Sequence, residues 1–186
     1  MARNIEIKAR VADMAALHAR AAAIADSGPV ELPQDDTFFA CAHGRLKLRV
    51  HADGRGELIA YRRADDGGPK VSDYQLSPTA SPDTLRDALA RSNGVEGRVI
   101  KHRTLFLVGR TRVHLDRVHG LGDFMELEVV LGDGEDIDGG VREAHELMAR
   151  LGISREALVQ GAYHDLLRAA RQPEVSGIAP TGLPGR

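Results

Sequence analysis

Ionisable side chains recur at every second position along several short segments of this chain. Glu6 and Lys8 have this spacing near the N-terminus, and Lys47 and Arg49 repeat it further on. In an extended strand, residues two apart lie on the same face. The same spacing occurs in three later sets: Lys101 and Arg103; Arg112, His114 and Asp116; Glu126 and Glu128. The pattern therefore predicts a sheet with ionisable groups on one face and apolar groups on the other.

The predicted elements alternate between strands and helices. Strands are predicted over residues 4–11, 38–42, 45–51, 57–63, 71–76, 99–108, 111–118 and 124–131. The turn sequences Ala52-Asp53-Gly54-Arg55-Gly56 and Gly109-Arg110 favour antiparallel hairpins, because parallel strands need long crossovers. Helices are predicted over residues 13–26, 82–91, 139–151 and 155–170, behind capping residues such as Asp13 and Ser81. The fold class is therefore α+β.

Composition limits the organisation and the class of partner. A chain of 186 residues fits one domain, which we place at residues 1–171, and the Pro- and Gly-rich residues 172–186 are expected to form a disordered tail. The net charge of -2 and the absence of Trp argue against nucleic acid as a partner. No apolar run approaches the roughly 20 residues of a membrane helix. The single cysteine, Cys41, fits a reducing compartment, so we expect a cytoplasmic protein.

Two interpretations of the charged face remain open from the pattern alone. Antiparallel sheets commonly carry a solvated polar face, which would explain the alternation without any site. Alternatively, the sheet closes into a barrel with the charged face inward. Such a lumen would hold about seven cations and four carboxylates, and burying them is costly unless a polyanion and hard cations neutralise them. A triphosphate with Mg²⁺ or Mn²⁺ meets that requirement.

The residues also resemble a known family. Asn4-Ile5-Glu6-Ile7-Lys8 resembles an ExExK strand, residues 45–49 and 57–63 resemble two basic strands, and the run from Arg112 through Gly120-Leu121-Gly122-Asp123-Phe124 to Glu128 resembles later basic and acidic strands. Together they are similar to the CYTH family of triphosphate tunnel enzymes, which includes class IV adenylyl cyclases and thiamine triphosphatases. The resemblance extends from about residue 3 to residue 167. It implies a closed eight-stranded antiparallel β-barrel with flanking helices.

The resemblance also implies roles for individual residues. It places a divalent ion, Mg²⁺ or Mn²⁺, near four carboxylates: Glu6, Asp116, Glu126 and Glu128. It places the triphosphate along seven cations: Lys8, Lys47, Arg49, Arg63, Lys101, Arg103 and Arg112. Lys8, Arg49 and Arg103 are the residues that it implies for catalysis. Asn4 stands where the family has the first glutamate of ExExK, and a neutral amide oxygen is a weaker ligand for a dication than a carboxylate.

Three functions remain open at this point. The GLGDF run is most similar to bacterial class IV adenylyl cyclase-like members, so conversion of ATP to cyclic AMP and pyrophosphate is the leading hypothesis. The first alternative is a triphosphatase that hydrolyses inorganic tripolyphosphate or thiamine triphosphate. The second is a polyphosphate- or nucleotide-binding module without catalysis, which the substitution at Asn4 favours. In each case the partner is a triphosphate-containing small molecule, and a homodimer is left open.

Overall fold

The computed structural model describes residues 2–63 and 69–171. Its strands are β1 (Ala2–Arg10), β2 (Ser27–Phe39), β3 (Arg45–His51), β4 (Gly56–Arg63), β5 (Lys70–Thr79), β6 (Val95–Val108), β7 (Thr111–Val118) and β8 (Gly122–Leu131). Its helices are α1 (Met14–Ile24), α2 (Pro82–Asn93), α3 (Ile137–Arg150) and α4 (Tyr163–Arg171), with a single 3₁₀ turn at Arg155–Ala157.

The eight strands close into an antiparallel barrel in the order β1-β5-β4-β3-β2-β6-β7-β8. Closure is made by β1, which pairs with β5 on one side and with β8 on the other. The α+β barrel that the resemblance implies is therefore confirmed. In this order β3 lies four strands from β8 in either direction, so these two strands face each other across the lumen.

Alternation along β1 shows how the barrel separates its two faces. Ile5 and Ile7 are fully buried against the outer layer formed by α1 and α3, and they belong to the larger apolar core. Burying such a side chain stabilises the fold by roughly 1.5–3 kcal/mol. A Cβ at Gly140 of α3 would lie 2.9 Å from Ile5 Cγ1, so glycine is what allows α3 to pack this closely on the strand. The intervening residues of β1 then point inward.

Strand β2 corrects one prediction. The sequence predicts a short strand over residues 38–42, but β2 begins at Ser27 and ends at Phe39. Its whole length pairs with β6, whereas its pairing with β3 begins only at Gln34. Pro29 and Pro33 therefore lie where β2 has a single neighbour, and a proline there breaks no second ladder. Because proline is uncommon inside strands, Pro29 and Pro33 kept this segment from being predicted as one.

The region after α3 corrects a second prediction. One helix was predicted over residues 155–170, but the chain forms a 3₁₀ turn at Arg155–Ala157 and begins α4 only at Tyr163. The intervening backbone bonds to β1 instead, with Val159 N donating to Lys8 O at 2.9 Å. The chain then turns at Gly161, whose φ of +78° is unfavourable for residues other than glycine.

Two further predictions concern membrane-spanning helices and the C-terminal tail. None of the helices within residues 2–63 and 69–171 is long and apolar enough to cross a membrane. The predicted tail at residues 172–186 lies outside the described residues, so it stays a prediction, as does the domain boundary at residue 171.

Candidate active site

The barrel encloses a cavity of about 350 Å³ that is lined by most of the predicted site residues. Nine of the eleven residues that the resemblance implies line it: Glu6, Lys8, Lys47, Arg49, Lys101, Arg103, Arg112, Glu126 and Glu128. The charged face of the sheet is therefore the inside of the barrel. Asp116 lies behind this lining, as described below. Arg63 ends β4, and its side chain lies outside the described part of the chain.

The charge balance of the lining differs from the sequence expectation. Among the described residues, six cations and five carboxylates line the cavity, because Asp36 and Glu57 were missed. Asp36 lies on β2, in the part of the strand that the sequence analysis did not predict. Glu57 lies on β4, where it pairs in register with Arg49 of β3. A strand assignment that extended β2 toward the N-terminus would have placed Asp36 two residues before the inward-facing Phe38.

A group that we call the basic wall consists of Lys47 and Arg49 on β3 and Asp36 on β2. The Asp36 carboxylate accepts from Lys47 Nζ at 2.8 Å and from both Nε and Nη2 of Arg49 at 2.8 Å. Burial alone would raise the pKa of Asp36, but the Arg49 and Lys47 charges hold it well below its usual range. Burial and the neighbouring Arg49 lower the pKa of Lys47 to about 8. Lys47 and Arg49 thus share the carboxylate of Asp36, and Glu57 of β4 lies opposite Arg49 in the strand register.

Asp116 holds two further cations of the lumen. Its two carboxylate oxygens accept from Arg103 Nε and Nη2 at 2.6 Å, and Oδ2 also lies 3.2 Å from Lys101 Nζ. The same oxygen accepts from the Tyr163 hydroxyl at 2.9 Å. Burial opposes ionisation, yet the Arg103 and Lys101 charges keep the pKa of Asp116 below its usual range. With no exposed surface and three donor side chains, Asp116 orients cations here and does not line the cavity, and its implied role as a metal ligand stays a prediction.

A group that we call the acidic wall consists of Glu126 and Glu128 on β8 and Glu6 on β1. Glu6 and Glu128 are direct neighbours in the β1–β8 register. Lys8 Nζ lies 3.1 Å from Glu126 Oε1, Arg103 bonds to Glu126 Oε2, and Arg112 Nη1 donates to Glu128 Oε2 at 3.1 Å. Burial would raise the pKa of Glu126, but the Lys8 and Arg103 charges lower it well below its usual range. The Glu126 carboxylate is therefore ionised at neutral pH.

The acidic wall contains a set of potential metal ligands. One ligand atom each from His114, Glu126 and Glu128 lie within 4.8 Å of one another. Burial and the Arg103 charge lower the pKa of His114 well below its usual range, so its imidazole is neutral and retains a lone pair. His114 Nδ1 on β7 and Asn4 Oδ1 on β1 are buried without a hydrogen-bond partner, and both residues line the cavity. Carboxylate and amide oxygens with one imidazole suit Mg²⁺ or Mn²⁺, so the residues fit such an ion.

The two ends of the cavity differ in exposure. At one end, Phe38, Val99 and Tyr163 line the cavity, and each is at most 5% exposed within a small apolar cluster. At the other end, Leu32 and Leu105 line the cavity with Leu76, which is 42% exposed. One end is therefore closed by packed side chains, and the other is an apolar mouth.

Solved structures share this architecture. The PH1012 protein from Pyrococcus horikoshii OT3 has a TM-score of 0.78 and 20% identity, covering 88% of this chain and 99% of that chain. A proposed adenylate cyclase from Vibrio parahaemolyticus has a TM-score of 0.72 and 20% identity, covering 89% and 97%. A proposed adenylyl cyclase from Hippeastrum with a dominant triphosphatase activity has a TM-score of 0.60 and 16% identity, covering 93% and 99%. At these identities the likeness shows the fold.

Sequence comparison adds the family. No protein of curated function matches the sequence. The family model of the CYTH domain matches residues 2–163, which include every described strand and the two walls of the lumen. Members of that family include adenylyl cyclases and triphosphatases, and the family uses divalent metals. The chain therefore belongs to the CYTH domain family.

Proposed function

We propose that this protein is an enzyme that binds the triphosphate of a small molecule inside the barrel and processes it with the help of a divalent ion. The observation that carries the proposal is the arrangement of the lumen: a basic wall on β3 faces an acidic wall on β8 across one cavity. The cations of the first wall would attract the phosphoryl oxygens of a triphosphate, and the carboxylates of the second would attract a dication.

The cations divide into those with a role in binding and those close to the reacting charge. Lys47 and Arg49 lie on the basic wall, and Arg112 extends the cationic lining beside Glu128. Arg49 and Arg103 present planar guanidinium groups, which bind phosphoryl oxygens with two parallel hydrogen bonds. Lys8 and Arg103 both contact Glu126, so they lie where the two walls meet. We propose these two residues and Arg49 as the groups that stabilise charge in the transition state.

We propose Glu126, Glu128 and His114 as holders of the divalent ion, with Glu6 and Asn4 beside them. When bound, such an ion would draw negative charge from the phosphoryl oxygens and so favour attack at phosphorus. Lys8 contacts Glu126 and Arg112 contacts Glu128, so each of these side chains is oriented by a cation. Asn4 brings an oxygen without charge, which lowers the expected affinity compared with a glutamate there.

The finer proposal is cyclisation of ATP to cyclic AMP and pyrophosphate. The apolar mouth formed by Leu32, Leu76 and Leu105 adjoins the cationic lining, so an organic group attached to the triphosphate would have an apolar surface to contact. Hydrolysis of tripolyphosphate or thiamine triphosphate is the second candidate, favoured by the dominant triphosphatase activity of the Hippeastrum relative. We place either activity in the cytoplasm, where the exposed thiol of Cys41 stays reduced.

A product assay tests the proposal. ATP, thiamine triphosphate and inorganic tripolyphosphate are each incubated with the protein, with Mg²⁺ and with Mn²⁺. Cyclic AMP and pyrophosphate from ATP would support the cyclase, whereas orthophosphate without cyclic AMP would identify the triphosphatase. Tight tripolyphosphate binding without turnover under either metal would contradict an enzyme and identify a binding module. In that case Asn4→Glu should strengthen metal dependence.

A further inference from the structure

The segment between the 3₁₀ turn and α4, residues 158–163, closes one end of the lumen, and we call it the floor segment. Leu158 forms an isolated bridge with Ala9, which fixes the segment beside β1. Lys8 Nζ donates to Gly161 O at 3.0 Å, so a cation of the lumen is held directly by the floor backbone. The floor segment therefore contributes to the charged cavity as well as to packing.

Tyr163 is the residue of the floor segment with the most contacts inside the lumen. Lys8 Nζ lies 4.0 Å from the centroid of its ring, and Lys101 Nζ lies 5.0 Å from the same centroid. The hydroxyl at the far end of the ring donates to Asp116 Oδ2 at 2.9 Å. One aromatic side chain thus touches two ammonium groups and the carboxylate that orients a third cation, Arg103.

The chemistry of these contacts explains what the side chain does. The face of an aromatic ring is electron-rich and attracts cations, most strongly where water is excluded. The Lys8 ammonium contacts both the Glu126 carboxylate and the ring, so the ring is a second group that fixes where this charge lies. The hydrogen bond from the Tyr163 hydroxyl fixes Oδ2 of Asp116, and this oxygen in turn orients the guanidinium of Arg103. A buried carboxylate with a missing donor would be freer to rotate.

We propose that Tyr163 is a positioning residue for triphosphate processing. Its ring sets where Lys8 and Lys101 present their charges, and its hydroxyl sets the orientation of Arg103 through Asp116. This inference rests on the proposed function, because it assigns a purpose to those three cations. No motif of the sequence indicates it, since Tyr163 is brought to the lumen by the turn at Gly161.

A structural role must be distinguished from this positioning role, because Tyr163 also packs in the apolar cluster. Its ring meets Phe124 edge to face at 5.0 Å, and Leu166 and Leu167 of α4 pack on the same cluster. Leu167→Ala therefore serves as a matched control, since it loosens α4 without changing a contact to Lys8, Lys101 or Asp116. Tyr163→Phe keeps the ring and removes the hydroxyl, and Tyr163→Leu removes both.

The experiment measures three quantities in the wild type and these three variants: the melting temperature, kcat and KM for whichever triphosphate the wild type turns over, and the Kd of tripolyphosphate without metal. We expect Tyr163→Leu to lower kcat by about 10- to 30-fold and to weaken metal-free binding. Tyr163→Phe should retain binding and lose only about 3-fold in kcat. Leu167→Ala should lower the melting temperature with kcat close to wild type.

Equal kcat and Kd values in Tyr163→Leu and Leu167→Ala would overturn the positioning role and leave Tyr163 as a packing residue. The proposed function fails separately, when the wild type itself turns over no triphosphate. Even then the metal-free Kd decides the matter: weaker binding in Tyr163→Leu but not in Leu167→Ala supports positioning of the cations, and unchanged binding rejects it.

Discussion

The basic wall and the acidic wall of the lumen differ in the groups that they present to the cavity. On the basic wall, Lys47 and Arg49 share the single carboxylate of Asp36. On the acidic wall, Glu126 and Glu128 lie beside Glu6, and His114 adds a neutral nitrogen rather than a charge. The first wall therefore presents cations to the cavity, and the second presents carboxylates that Lys8, Arg103 and Arg112 contact. The difference supports the proposal that ligands of opposite charge bind in one cavity.

The largest effect is expected where the two walls meet. Arg103→Ala removes the partner of Asp116 and Glu126, and leaves both carboxylates buried with fewer donors. Turnover should fall by about 10²-fold or more, the scale seen when an electrostatic stabiliser is lost. Steady-state kinetics measures the loss, with circular dichroism to verify folding. Turnover within a few-fold of wild type would remove Arg103 from the proposed machinery.

Arg49→Ala tests the basic wall alone. It should also lower turnover by about 10²-fold, because a bidentate phosphate contact is lost. Its effect on KM separates binding from catalysis, since a contact equally strong in substrate and transition state would raise KM and leave kcat unchanged. That pattern would make Arg49 a binding residue only.

Asp36→Asn tests whether the basic wall holds uncompensated charge. The change keeps the shape of the side chain and removes its charge from between Lys47 and Arg49, so stability should fall by about 2 kcal/mol. Tripolyphosphate should then raise the melting temperature of the variant more than that of the wild type, because the anion replaces the lost charge. An equal or smaller rise in Asp36→Asn would show that the anion binds elsewhere.

Glu128→Gln tests the acidic wall. It removes a hard-cation ligand while leaving Lys47 and Arg49 intact, so activity should require more metal and recover partly at high Mn²⁺. Metal titrations of the initial rate with Mg²⁺ and with Mn²⁺ measure the shift. An unchanged metal requirement would show that Glu128 is not a ligand.

A smaller effect is expected from the low pKa of Lys47. Burial and Arg49 lower that pKa from 10.5 to about 8, so the folded protein releases this proton before the unfolded chain does. Between about pH 8 and 10.5 the unfolded state binds more protons, and stability should rise with pH in that window as the cost of burying the charged lysine is relieved. Metal-free tripolyphosphate binding should weaken over the same rise. Lys47→Arg should remove most of both pH dependences. If the wild type and Lys47→Arg have identical pH profiles of stability and binding, the low pKa does not belong to Lys47.

Most strands of the barrel were predictable because ionisable and apolar residues alternate along them, and this local pattern is visible in the sequence. Ionisable residues two apart along β1, β3, β6, β7 and β8 are inward-facing in the structure as the period of two requires. Strand β2 was not predictable from alternation, because Pro29 and Pro33 interrupt its pattern and are tolerated only where β3 is absent. Because this part of β2 was not predicted, Asp36 was not predicted as a residue of the site either.

The site was predictable in its composition and less so in its pairing. Spacing indicates that Asp116 shares a face with Arg112 and His114, but it does not show that Asp116 is enclosed by Lys101, Arg103 and Tyr163. That enclosure depends on the floor segment, which reaches the lumen through backbone bonds to β1 and the turn at Gly161. Such long-range pairing leaves no periodic signal in the sequence.

The most direct test of the central claim is the affinity for tripolyphosphate in the presence of a chelator, measured by calorimetry for wild type, Arg49→Ala and Glu128→Gln. If the basic wall binds the anion and the acidic wall holds the metal, Arg49→Ala should weaken metal-free binding by about 10-fold or more, in line with the loss of a charge-assisted contact. Glu128→Gln should bind at least as tightly as wild type, because a negative charge has left the lumen. The reverse order, with Glu128→Gln abolishing metal-free binding and Arg49→Ala preserving it, would contradict the division of the lumen into these two walls.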